Sequence, residues 1–142
     1  MYMTLVQLSE NRTWRNDMEK WTKIKPDFIP FGDYGIEINI DGDTLIVYLE
    51  DSEKFKFTFT KIWAFRTVQE SLELRDKYWE QGLAENRPLY LTNYIYEVEN
   101  TEFGDLVASA NIANKKLHHY FIMSTEYLVD ILSENDVKVE KI

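Results

Sequence analysis

The sequence predicts an α+β domain, a mostly antiparallel sheet with two or three helices packed on it. Three observations carry that expectation. Apolar residues alternate at period two through Ile36, Ile38 and Ile40, and again through Phe55, Phe57 and Phe59. That is the spacing of strands with one buried face. Helical spacings of three and four recur elsewhere, so the order reads helix, strands, helix, strand, helix, strands. The 142 residues are 44% apolar and 15% aromatic, which fills one core and is too apolar for a disordered chain. One domain over residues 1–142 is expected.

Taken in order, Trp14, Met18 and Trp21 lie four and three apart, predicting a short amphipathic helix over residues 9–23. Pro26 and Pro30 break it, and residues 31–35 read as a turn. A strand over residues 36–40 follows. Asp41-Gly42 is a hairpin signal, and residues 45–50 form the returning strand. The Phe55, Phe57, Phe59 run alternates with Lys54, Lys56, Thr58 and Thr60, so one face is dry and the other wet. Residues 62–66 continue the pairing after a bend near Lys61.

Thr67 and Glu70 have capping-box spacing. They predict a helix over residues 68–81, closed by Gly82. Residues 89–98 read as a strand whose Tyr90, Tyr94 and Tyr96 share a face. Phe103, Leu106, Val107 and Ala110 predict a helix over residues 102–114, with Lys115 and Lys116 complementing its C-terminal dipole. Residues 117–123 read as a strand. Residues 127–132 admit a strand or a short helix, and the strand is preferred. Val137 and Val139 suggest a last edge strand.

Charge restricts the function. Sixteen Lys and Arg face 25 Asp and Glu, a net charge of −9. That disfavours a nucleic-acid binder, which needs a basic footprint. The excess is concentrated. Residues 26–53 hold eight acids and no Lys or Arg, and residues 88–114 and 117–137 hold four acids each and again no Lys or Arg. Such runs keep a domain soluble, or they dock on a basic partner and raise its association rate. Asp33, Tyr34, Glu37, Asp41, Asp43, Tyr48, Glu50 and Asp51 are the candidate partner-binding residues.

Chemistry is harder to find. With no cysteine, disulfide frameworks, thiolate zinc sites and cysteine nucleophiles are excluded. The five glycines make no phosphate-binding loop, and there is no zinc-protease, nucleophile-elbow or EF-hand pattern. No metal and no cofactor is expected. His118 and His119 are the only histidines. On a strand they point to opposite faces and cannot chelate one ion together. Arg66, Glu70 and His119 are left as a possible small-ligand pocket. The first ten residues lack a basic segment and a long apolar run, and no stretch reaches the length of a membrane span. A cytoplasmic protein is expected.

Two stretches bear a resemblance. Residues 64–71, Ala-Phe-Arg-Thr-Val-Gln-Glu-Ser, resemble an aromatic–Arg–x–x–x–Glu segment. Residues 118–125, His-His-Tyr-Phe-Ile-Met-Ser-Thr, followed by Val129-Asp130-Ile131-Leu132-Ser133, resemble a His–Tyr–aliphatic segment with an aliphatic–Leu–Ser ending. Together they resemble small bacterial proteins found among the immunity proteins of contact-dependent or polymorphic toxin systems. The likeness spans the second half of the chain. It implies a non-enzymatic, antitoxin-like binder that occludes a basic toxin, such as a nuclease. A self-associating accessory protein and a small-ligand-binding domain are the alternatives.

Overall fold

Period-two alternation governs more of this chain than its sequence suggests. The computed structural model describes residues 19–69, 93–110, 114–124 and 127–142. Among these residues lie nine strands and one short helix: β1 (Lys20–Lys23), β2 (Gly35–Asp41), β3 (Thr44–Glu50), β4 (Lys54–Phe59), β5 (Ile62–Gln69), β6 (Ile95–Glu99), α1 (Glu102–Ser109), β7 (His118–Met123), β8 (Tyr127–Ser133) and β9 (Lys138–Lys141). The α+β expectation with two or three helices is therefore corrected. The described chain is nearly all β, built from two antiparallel sheets.

The four-stranded sheet has the order β2-β3-β4-β9 and the five-stranded sheet β1-β6-β7-β8-β5. They share one core. Leu45, Val47 and Leu49 of β3 and Phe55, Phe57 and Phe59 of β4 meet Ile95, Tyr120, Ile122, Val129 and Ile131 of the larger sheet. Phe59 and Tyr120 touch across the gap, ring centroids 5.5 Å apart. Each fully buried aromatic or aliphatic side chain contributes about 1.5–3 kcal/mol relative to exposure. The larger sheet buries its second face as well, through Trp21, Tyr96, Val98, Phe121 and Met123.

Helix expectations failed where short strands paired with distant partners. Residues 20–23 are a strand because Trp21 turns inward between exposed Lys20 and Thr22. Its ring lies 5.2 Å from both Tyr96 and Phe121. Residues 9–18 of that expected helix lie outside the described residues. At the predicted capping box, Thr67 and Val68 continue β5 opposite Val129 and Leu128. Ala64, Arg66 and Val68 face inward while Trp63, Phe65 and Thr67 stay exposed, a strand pattern that outweighs the local motif. Glu70 and residues 70–81 lie outside the described residues.

The helix expected over residues 102–114 is real but short. Thr101 is its N-cap, with extended backbone and a side chain accepting from the Gly104 N–H, and it ends at Ala110. Lys115 and Lys116 fall beyond its last turn, which holds no basic residue, so they do not complement its dipole. The stretch 127–132 is a strand, Tyr127–Ser133. Tyr94 and Tyr96 do not share a face: Tyr94 packs on the shared core and Tyr96 on the opposite cluster. Strand β6 runs from Ile95, where Asn93 bonds the Ile24 and Ile95 carbonyls, and residues 89–92, Tyr90 among them, lie outside the described residues. No helix among the described residues is long and apolar enough to cross a membrane.

Candidate functional site

The segment 24–34 leads from β1 to β2 and is pinned from several sides. Lys25 and Asp27 have left-handed backbones, φ 43° and 68°, and the Phe28 N–H donates to the Lys25 carbonyl. Ile29 is buried in the shared core, and Phe28 lies edge-on to Phe55 at 5.6 Å. The Tyr34 hydroxyl donates to the Pro30 carbonyl at 2.7 Å. The Tyr94 hydroxyl accepts from the Gly32 N–H and donates to the Gly32 carbonyl, both at 2.8 Å. A Cβ on Gly32 would come within 2.8 Å of Asp51 Oδ2 and 3.2 Å of the Tyr34 ring, so a side chain here would displace the exposed Asp51 carboxylate and press on that ring.

Between those fixed neighbours stands Phe31, 92% exposed. Asp33 and Asp51 beside it are exposed. Neither they nor Asp27 pair with a Lys or Arg among the described residues. Lys25 is turned away, its ammonium over the Phe28 ring and bonded to the Val139 carbonyl.

The candidate partner residues divide among four places. Asp33, Glu50 and Asp51 share the Phe31 end, where Gly35 pairs with Glu50. Asp41 and Asp43 flank the hairpin turn at the other end of two seven-residue strands, about 20 Å away. Glu37 and Tyr48 are cross-strand neighbours on the wet face, continued by Lys56 and Glu140. Lys54 lies over the Tyr48 ring at 4.6 Å and 3.9 Å from Glu50. That face is mixed in charge, so the eight residues do not make one acidic surface. Tyr34 is corrected outright: at 3% exposure it is a core residue, with burial first and then Tyr94, Glu53 and Asp51 pushing its phenol pKa up.

The pocket residues fare differently. Arg66 and His119 meet through a residue not singled out in the sequence, Asp130. Arg66 Nε donates to Asp130 Oδ2 at 2.9 Å, and His119 Nε2 lies 2.6 Å from Oδ1. His119 Nδ1 is 2.8 Å from Thr101 Oγ1, the N-cap of α1. With neutral His119 donating through Nε2, Thr101 donates to Nδ1 and accepts from Gly104, so each group in the chain is satisfied. The Arg66 guanidinium lies 4.4 Å over the Phe103 ring. A cavity of about 250 Å³ opens beside Thr101, Gly104 and His119. It does not reach Arg66. The order Asp130–His119–Thr101 fits a proton relay, but the hydroxyl is committed to capping α1, and the network fastens that helix to β7 and β8.

His118 points to the opposite face, as its strand position requires, and lies between Glu97 and Asp136. No family model matches the sequence, and no curated protein matches it.

Proposed function

We propose that the protein is a non-enzymatic acidic binding protein that occludes a basic protein partner, in the manner of the toxin-immunity proteins that its second half resembles. The observation that supports this most is the solvent-facing Phe31, whose backbone neighbours Pro30 and Gly32 are hydrogen-bonded to Tyr34 and Tyr94, beside carboxylates Asp33 and Asp51 that pair with no Lys or Arg among the described residues. A backbone segment already ordered before binding loses little conformational freedom on docking. Aromatic residues are also enriched among interface hot spots. The carboxylates favour a partner whose apolar pocket is rimmed by Lys and Arg, and reject acidic competitors.

The interface is thus centred on the 27–33 segment and Asp51, with Glu50 at its rim, and not on the Asp41–Asp43 turn. The test is a pull-down from the native host with wild type, Phe31→Ala and the double variant Asp33→Asn, Asp51→Asn. A basic partner is expected, lost at high salt and weakened in the Phe31 variant by about 2 kcal/mol or more. Melting temperatures should be unchanged in both variants. Capture that is equal in all three proteins would remove this surface from the function.

A further inference from the structure

Glu97 of β6 and His118 of β7 lie on the sheet face that carries Ile95 and Tyr120. Register fixes them: Glu97 pairs with Tyr120, and His118 with Ser133. His118 stacks on Tyr120, rings 5.9 Å apart and 18° from parallel. Asp136 reaches the same place from the connection between β8 and β9. That connection is held by the Val137 N–H donating to the Tyr120 hydroxyl at 3.2 Å. His118 Nδ1 is 3.5 Å from Glu97 Oε2, and Nε2 is 3.3 Å from Asp136 Oδ1. One ring nitrogen and one oxygen from each carboxylate all lie within 4.8 Å of one another.

Neither carboxylate pairs with a Lys or Arg among the described residues. A neutral imidazole has one N–H, so it can donate to one of the two carboxylates, and its lone pair then faces the other. Either a second ring proton or a bound cation removes that conflict, and titration with Zn²⁺ separates the two. Imidazole and carboxylate donors together suit zinc and its first-row neighbours. The 3.3 Å separation of His118 Nε2 and Asp136 Oδ1 is that of two ligands each about 2.0 Å from one tetrahedral zinc, and Glu97 Oε2, nearer the other ring nitrogen, completes a group within 4.8 Å. Glu97 and His118 sit in hydrogen-bonded strands, whereas the Asp136 side chain is 85% exposed.

We infer that Glu97, His118 and Asp136 form a binding site for a divalent transition-metal ion of the zinc type, joining β6, β7 and the β8–β9 connection. Solvent completes the coordination. The three ligands come from distant segments with no recognisable spacing, so no sequence motif marks the site.

The test titrates Zn²⁺ into the full chain after chelator treatment, by calorimetry and by thermal melting. One ion per chain is expected, with a rise in melting temperature that EDTA reverses. Asp136→Asn, which alters only an exposed side chain, and His118→Gln should each weaken binding roughly tenfold or more. The Asp41→Asn, Asp43→Asn double variant should bind like wild type. Absence of saturable binding, or binding undiminished in Asp136→Asn and His118→Gln, would overturn the site and leave a proton-bridged ion triple.

Discussion

The two sheets solve burial differently. The four-stranded sheet is dry on one face and wet on the other: β3 and β4 alternate buried and partly exposed residues along their length. The five-stranded sheet is dry on both faces at its centre, where residues 119–123 and 129–133 are all buried. Polar residues caught there need partners, and His119 and Asp130 have them. One sheet therefore depends on apolar volume alone. The other depends also on a completed polar network.

Substitutions sharpen that contrast. Asp130→Ala should cost about 3–5 kcal/mol, because Arg66 and His119 lose a buried partner. Phe57→Ala should cost a similar ~3–5 kcal/mol from cavity and lost burial. Urea denaturation measures both. A cost below about 1 kcal/mol for Asp130→Ala would show that the network is solvated and that the two sheets are alike. Thr101→Ala should cost about 0.5–2 kcal/mol through loss of the cap, and Thr101→Ser should restore most of it.

Tyr120 gives a pH-dependent version of the comparison. Burial raises its phenol pKa well above the ordinary 10.0, with Glu97 and Asp136 adding to the shift. Above pH 10 the unfolded chain releases this proton and the folded chain keeps it, so the unfolded state gains. This contribution is intact below pH 10 and is lost as pH rises further. Tyr120→Phe should cost about 0.5–1.5 kcal/mol at neutral pH and flatten the alkaline decline in melting temperature. A decline of unchanged slope would assign it elsewhere, Tyr34 being the next candidate. The smallest effect is expected on the wet face, where Lys56→Ala should stay within about 0.5 kcal/mol.

The same contrast explains what the sequence revealed. Strands β2 to β4 were legible because a half-wet sheet writes its period into Ile36–Ile38–Ile40 and Phe55–Phe57–Phe59, and Asp41-Gly42 marks their turn. In β7 and β8 both faces are buried, so alternation disappears and residues 127–132 could be read either way. A four-residue strand such as β1 is too short to display any period. The 67–70 capping box matched locally but lost to pairing with β8. As for the site, opposite directions for His118 and His119 followed from strand geometry alone. The exposure of Phe31 did not, and the neighbouring Gly32 is held by the Tyr94 hydroxyl, 62 positions away. Sequence grouped Arg66 with His119 but missed Asp130, which joins them only across three paired strands.

One pairing has a consequence for the newly made chain. Strand β9 closes the outer edge of β4, and Lys141 and Glu53, whose ion pair lies beside that edge, are 88 positions apart. Contacts of such sequence separation form late and slow folding. Until β9 docks, the most aromatic strand among the described residues presents unpaired backbone groups to any neighbouring chain. Folding yield, more than final stability, should therefore respond to changes in the last strand, and dilution or a chaperone should recover what such changes lose.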